Sequence, residues 1–270
     1  MNMAKLYLVG TPIGNLSDIT LRALETLKSV DAIACEDTRH SLKLLNYYEI
    51  KKPLFACHKF NEKQSVDKIY AMLEEGKDVA LITDAGMPCI SDPGAILVNG
   101  LLEKGVEISV IPGATALTSA MALSGICQPT FTFIGFLPDK NKDRDALLSQ
   151  FKNARTSLVL YSSPYDLNKD IQYLHGFLGE RKLHIVREIT KIHEEHIVTT
   201  LAEGVQESPK GEYVLIVECA EQEETAPQGS IEEQLDELLK SGVDKKTAIK
   251  QVAKANGLSK DEVYKIAIDK

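Results

Sequence analysis

Along the first half of this 270-residue chain, short apolar runs alternate with stretches whose apolar residues recur at helical spacing. Leu6–Val9, Ala32–Cys35, Leu54–Cys57, Val79–Ile82 and Glu107–Ile111 read as strands, each bounded by turn residues. Runs this short and this continuously apolar predict strands buried on both faces of a parallel sheet. Between them Ile19, Leu21, Leu24, Leu27 and Val30 mark one helix, and Val66–Leu73 and the segment from Ala95 to Glu103 mark two more. Strands alternating with helices through short loops predict an α/β, doubly wound fold. Past Pro112-Gly-Ala-Thr115, Ala116–Leu123 is a helix rich in small residues. The second half is looser, with strands expected at Phe131–Ile134, Ser157–Tyr161, His184–Arg187 and Tyr213–Glu218, and an antiparallel one within His193–Thr200.

Composition shifts divide the chain further. The expected plan is an N-terminal α/β domain over 1–112, a second α/β domain over 113–219, a linker over 220–229 and a small helical domain over 230–270. The linker is rich in Glu, Gln, Pro and Gly, a composition unable to bury enough apolar surface to fold. Beyond it Ser230 with Glu233, and Ser259 with Glu262, fit capping boxes, and Gly257 suits a position just past a helix end. Ala253-x-x-x-Gly257-x-Ser259 resembles a helix-turn-helix. The alternative is a helical cap or a dimerisation tail.

Charge changes the picture only once it is located. The net charge is −8, but seven acids and no base fall between Ala220 and Glu237, leaving one excess negative charge elsewhere. From Leu238 onward eight lysines face four acids. The overall acidity therefore does not exclude a nucleic-acid partner. Five scattered cysteines without a Cys-x-x-Cys pair argue against a zinc site or disulfide framework and suit a reducing cytoplasm. His193 and His196 lack the His-Glu-x-x-His spacing, so no metal is expected. No apolar run approaches the roughly 20 residues that span a bilayer, and a start that runs straight into a strand leads us to expect no signal peptide.

Candidate chemistry concentrates at strand tips, where open α/β sheets place their ligands. Thr83–Gly94 follows the fourth strand and carries two Asp, two Gly and two Pro in twelve residues. Glycine lets a ligand approach the backbone, and a carboxylate there accepts hydrogen bonds from an amine or hydroxyls. Gly10-Thr-Pro-Ile-Gly-Asn15 is glycine-rich but is neither a Walker A loop nor Gly-x-Gly-x-x-Gly. At Glu36-Asp-Thr-Arg39, Asp37 or Thr38 could cap a helix, or Arg39 could hold a phosphate. Lys140, Lys142, Arg144, Lys152 and Arg155 interleave with acids, giving either a solvated helix face or a phosphate-gripping loop.

Seven segments in order carry a resemblance: Leu6–Leu16, Glu36–Arg39, Asp84–Pro88 with Ser91–Gly94, Pro112-Gly113, Phe136–Pro138, Arg187–Lys191 and Gly211–Val217. Together they resemble the bacterial 16S ribosomal RNA cytidine 2′-O-ribose methyltransferases of the tetrapyrrole methylase (class III) superfamily. The resemblance covers about Leu6–Glu218, with the tail similar to that family's small helical domain. It implies S-adenosylmethionine in a cleft between two α/β domains. Pro12 and Ile13 would line the cofactor, Asp84, Gly86 and Met87 would hold its polar portion, and Thr115 and Ala116 would contact it from a helix edge. Tyr161, Ser162 and Gly211 would close the far wall. Arg39, His58, Asn61, Lys140, Lys142 and Arg144 would face RNA, and the resemblance implies a homodimer. The sequence departs from the family at Tyr161-Ser-Ser-Pro-Tyr-Asp166, where an acid and an arginine are exchanged, and at Phe60.

A ribose 2′-hydroxyl is a poor nucleophile, so a side chain should help remove its proton. The candidates are Glu36, Asp37, His58, Glu188 and Lys191. Two other readings are a corrin or porphyrin C-methyltransferase and a non-catalytic RNA-binding scaffold; the lysine-rich tail disfavours the first, and the altered 161–166 segment favours the second.

Overall fold

The five apolar runs of the first half line up as one sheet. In the computed structural model, which describes residues 4–127, 130–207, 210–220 and 229–268, these are β1 Leu6–Val9, β2 Ala32–Cys35, β3 Leu54–Ala56, β4 Val79–Ile82 and β5 Ile108–Ile111. Their order is β3-β2-β4-β1-β5, with every pairing parallel. Helices cover both faces, which is why β2 and β4 are buried at every position. On one face α3 (Glu62–Glu74) and α4 (Ala95–Glu103) bury Ile69, Leu73, Leu97 and Leu101 against Leu6 and Leu81. On the other, α1 (Leu21–Ser29) and α2 (Thr38–Tyr47) bury Leu27 and Leu45 against Val9, Ile33 and Ile82.

The second sheet is mixed. It comprises β6 Phe131–Phe136, β7 Ser157–Ser162, β8 Lys182–Arg187, β9 Glu195–Thr200 and β10 Tyr213–Val217, in the order β6-β7-β10-β8-β9. Only β6 and β7 pair in parallel. β6 extends past Ile134 because a bulge at Gly135, with φ 68°, lets the strand bend and continue. One face packs on α6 (Asn141–Leu148) and α7 (Leu167–Leu178) through Leu148, Leu167, Ile171 and Leu174. α7 is not among the elements expected above, although its leucines and Ile171 recur at helical spacing. The other face is covered by α5 (Ala116–Ser124), whose Ala120 packs among Val159, Val186, Val214 and Ile216. Thus α5 follows the last strand of the first sheet yet belongs physically to the second. Both sheets lie in one compact unit that ends at Ala220.

The chain from Glu221 onward forms a separate unit. Of the expected linker only Ala220 and Gly229 fall within the described residues. α8 (Ile231–Lys240), α9 (Lys245–Ala255) and α10 (Lys260–Ile268) enclose a small core of Leu235, Ala248, Ile249, Val252, Ala253 and Val263. The Ser230–Glu233 capping box is complete, and the Glu262 carboxylate accepts from the Ser259 N–H at 2.7 Å while Ser259 Oγ accepts from the Glu262 N–H at 3.3 Å. Among the described residues, no helix is long and apolar enough to cross a membrane.

One buried charge fixes how the central loop enters α4. Glu62 is only 5% exposed, and its Oε2 accepts from the N–H groups of Gly94 and Ile96, both at 3.0 Å, and of Leu97 at 3.4 Å. The first turn of α4 thus takes its cap from α3, and the helix dipole favours the carboxylate there. Glu62→Ala should destabilise the α/β unit by about 2–3 kcal/mol, because it strands buried donors. Glu62→Gln, which keeps a carbonyl acceptor, should lose less. Urea unfolding of both variants checks this; a loss under about 0.5 kcal/mol for the alanine variant would show that the cap is not structural.

Candidate functional site

Three strand-tip loops of the first sheet meet at one point. β1 lies between β4 and β5, so the loops that follow these three strands leave the sheet side by side. Gly10 and Gly113 sit back to back: a Cβ on Gly10 would fall 2.7 Å from the Gly113 backbone, and one on Gly113 would fall 2.8 Å from Gly10. Alongside, Thr11 and Gly86 form an antiparallel bridge, with N–H to carbonyl distances of 2.9 and 3.1 Å, and Thr11 Oγ1 donates to the Thr83 carbonyl at 3.2 Å. Gly86 needs its φ of 80°, and its open face lies against Ile13. Met87 packs on Gly10. Pro12, Ile13, Asp84, Gly86 and Met87 are thereby gathered in adjoining loops. Thr115 caps α5 by accepting from the Thr118 N–H at 3.2 Å, which fixes Ala116 as that helix's first residue. Asp84 is half-buried, and its Oδ1 is buried without a hydrogen-bond partner among the described residues. Such an atom is an acceptor waiting for a donor.

A second acidic group stands beside it. Thr83 Oγ1 donates to Glu36 Oε2 at 3.1 Å, which links the tips of β4 and β2. Asp92 joins them. Burial first, and the charge of Glu36 next, push its carboxyl up to about 6 against a bond from Thr83. The candidate bases named from sequence do not include Asp92; only its place in the Asp-Pro-Gly turn marked it. The loop that carries it is strained, since Cys89 and Ser91 hold φ values of 71° and 63° without being glycine. Such strain gathers at functional sites. Burial lifts the Cys89 thiol to about 11, so it packs as a neutral group.

The remaining candidate bases separate by their partners. Asp37 caps α2 and is bonded by Arg39, whose guanidinium holds the Asp37 carboxyl at about 2. It is a weak base. His58 is half-buried, with Nδ1 buried and unpartnered among the described residues, beside the 92%-exposed Phe60. Glu188 and Lys191 hold each other at 2.8 Å, and Lys191 also reaches Glu212 at 2.9 Å. Burial alone would lower the Lys191 ammonium, but the bonds to the two carboxylates win and raise it. For Glu188 burial would raise the carboxyl, and the bonds from Lys191 and the Glu212 N–H bring it below its ordinary value. A lysine held protonated does not abstract a proton, which corrects the expectation for Lys191. Its chain instead covers Gly14, where a Cβ would overlap it, and Thr190 Oγ1 donates to Asp18. This pair clasps the two sheets together.

On the second sheet, Tyr161 stacks edge-on with Phe133 at 4.9 Å and Phe136 at 5.6 Å. Burial foremost raises its phenol, and the Asp92 charge adds to this across the two sheets. Gly211, with φ 145°, leaves room for the Glu188 side chain. Ser162 is buried and turns away from its expected role: its Oγ donates to Asp170 Oδ2 at 2.8 Å. Arg144, expected to face RNA, is a further correction. It is 3% exposed, pairs with Asp170 at 3.5 Å and donates to the Pro138 carbonyl. Asn61 is also committed inward, accepting from the His58 N–H at 2.7 Å and donating to the Ala56 carbonyl at 3.0 Å, so it shapes the His58 loop. Lys140 and Lys142 are exposed at the start of α6, and the Arg39 side chain is 89% exposed.

Known proteins are similar to this chain. The family of tetrapyrrole (corrin/porphyrin) methylases matches residues 5–204. A Synechocystis protein named ribosomal RNA small subunit methyltransferase I is 39% identical over 99% of this chain and 98% of its own length. Its Bacillus subtilis namesake is 39% identical over 97% and 94%. The Mycoplasmopsis pulmonis namesake is 49% identical but matches only 79% of this chain while using 97% of its own. Among solved structures, a diphthine synthase superposes with a TM-score of 0.65 at 14% identity, covering 80% of this chain and 90% of its own. A Thermus thermophilus uroporphyrin-III-C-methyltransferase gives 0.56 at 21%, covering 80% and 94%. These two speak for the fold alone.

The raised carboxyl of Asp92 has a measurable consequence. Its folded value near 6 lies above the usual carboxylate value of 3.8, so the folded state binds more protons between these pH values and stability falls as pH rises through them. Asp92→Asn should therefore melt higher than the parent at pH 8, by about 2–4 °C for each kcal/mol released. The gap should close toward pH 4. Calorimetric melting curves at several pH values check this, and a gap independent of pH would refute the assignment.

Proposed function

Because the chain belongs to the tetrapyrrole (corrin/porphyrin) methylase family, we propose that this methyltransferase moves the methyl group of S-adenosylmethionine to the ribose 2′-hydroxyl of a cytidine in 16S ribosomal RNA of the small ribosomal subunit. Near-full-length relatives named as ribosomal RNA small subunit methyltransferases support the RNA substrate. The observation that carries the site is the buried, unpartnered Asp84 Oδ1 beside the joined glycine loops. A ligand with an ammonium group, ribose hydroxyls and an adenine needs a carboxylate acceptor, close backbone and an apolar wall. Asp84 supplies the first, Gly86 with the Thr115–Ala116 helix edge the second, and Pro12, Ile13, Met87 and Tyr161 the third. Gly211 and the Ser162 backbone complete the enclosure.

When bound, S-adenosylmethionine supplies a methyl group already made electrophilic by its positive sulfur. The chain's task is then alignment, which can lower a barrier by roughly 7–11 kcal/mol. Glu36 and Asp92, linked through Thr83, are the acceptors best placed for the hydroxyl proton, with His58 the remaining candidate. A carboxyl held near 6 is largely ionised at neutral pH yet more basic than an ordinary one. Arg39, Lys140 and Lys142 meet the RNA phosphates. The family resemblance of the sequence further supports a homodimer working in the cytoplasm.

Tritiated methyl transfer from S-adenosylmethionine tests the reading on three acceptors: small subunits, free 16S RNA and a precorrin. Label is expected in RNA only, and mass spectrometry should place it on a cytidine ribose. Label confined to the precorrin would overturn the RNA assignment, and label nowhere would favour a binding scaffold. Asp84→Ala should keep its far-UV circular dichroism and weaken S-adenosylmethionine binding at least about tenfold, or 1.4 kcal/mol, by calorimetry. Unchanged affinity would remove Asp84 from the site.

A further inference from the structure

The proposed reaction leaves the C-terminal unit without a task. Three relatives that share one printed name match only about four-fifths of this chain while using nearly all of their own length. The shortfall is the size of the unit from Glu221 to Lys270. Proteins of that name are thus shorter by about one such unit, which suits a role added to the chemistry.

Its charges are sorted by helix. α8 carries Glu232, Glu233, Asp236 and Glu237, whereas α9 carries Lys245, Lys246, Lys250 and Lys254 and no acid. Nearby acids are already bound at helix starts. Glu233 closes the box with Ser230, Asp244 accepts from the Thr247 N–H at 3.1 Å, and Glu262 holds Ser259. α9 buries Ala248, Ile249, Val252 and Ala253 in the small core, which points its other side outward. There Lys246, Lys250 and Lys254 are all exposed, with no ion pair among the described residues. They step along the helix by about 6 Å at each interval of four residues. Thr247 and Gln251 are exposed between them, and Tyr264 of α10 is 52% exposed next to Lys265. After the turn at Gly257, with φ 65°, α10 begins under its own cap, giving a helix-turn-helix pair.

We propose that the unit Ser230–Ile268 is an RNA-binding module, whose α9 face grips backbone phosphates and adds affinity for the substrate without taking part in methyl transfer. A row of lysines without ion pairs among the described residues, with the exposed Gln251 amide between them, suits a polyanion, since phosphate contacts give affinity that does not depend on sequence. The inference rests on the RNA reading above and deepens it. The rigid three-helix frame holds the row in place, and its exposed lysines can change without disturbing the core.

The test uses the full chain carrying Lys246→Gln, Lys250→Gln and Lys254→Gln together, with circular dichroism to show that the helices persist. Filter binding to 16S RNA between 50 and 300 mM KCl should give a salt slope shallower by about 2, at roughly 0.7 for each single-strand phosphate contact. The KM for RNA should rise tenfold or more, while turnover at saturating RNA and S-adenosylmethionine affinity stay at the parent value. An unchanged slope and KM in a folded variant would overturn the module. Should the parent chain fail to label RNA at all, the proposed function fails instead, and the two failures are thereby distinct.

Discussion

The structure depends on one close approach of backbone to backbone. Gly10 and Gly113 touch where no side chain could intervene, and the Thr11–Gly86 bridge binds the third loop to the same point. Parallel strands make this possible, because all of their carboxyl ends exit on one side and the order of the sheet places β1 between β4 and β5. A methyl group at either glycine would push the loops apart. With the contact in place, Asp84 is held half-buried with one oxygen unspent, and the start of α5 lies just beyond.

Charged groups around the cleft divide into those already satisfied and those left over. Lys191, Glu188 and Glu212 satisfy one another, whereas Arg144, Asp170 and Ser162 form a buried network that leaves Arg144 Nη1 and Asp170 Oδ1 without a hydrogen-bond partner among the described residues. A group that has its full set of close partners has little capacity left for a ligand, and its protonation is pinned. Both networks tie elements together, one across the sheets and one inside the second sheet's helical layer. Glu36, Asp92, Asp84 and His58 have fewer partners, and Asp84 Oδ1 and His58 Nδ1 have none among the described residues. Strained backbone follows the same division of labour. Among the described residues, four of the five non-glycine positions with positive φ are Cys89, Ser91, Glu188 and Thr190, in the central loop and the clasp.

The C-terminal helices solve a different physical problem. Their core is small, so caps supply much of the order, and the acids that make the caps leave Lys246, Lys250 and Lys254 of α9 without an ion pair among the described residues. The two units have separate cores, so substitutions on the outer side of α9 leave the α/β core untouched.

Periodicity and turn chemistry in the sequence determined the strands of the first sheet, the strand-tip loops, Asp37 or Thr38 as a cap, and the capping boxes of the tail. These are local properties: a continuous apolar run or a Ser-x-x-Glu spacing states its own conformation. The ordered motifs likewise marked the loops that the structure gathers at the tips of β1, β4 and β5. Tertiary structure alone decided what each polar side chain spends its bonds on. Arg144 and Asn61 look like surface donors in the sequence, yet Asp170 and the Ala56–His58 backbone draw them inward across gaps that spacing does not reveal. Asp92 becomes a raised carboxyl because the fold buries it and brings up Glu36, 56 residues earlier in number, from the tip of the neighbouring strand β2, and Glu62 becomes a cap for a helix that begins far along the chain. Electrostatic and hydrogen-bond partners are set by distance in space, and strand order, which no local pattern encodes, sets that distance.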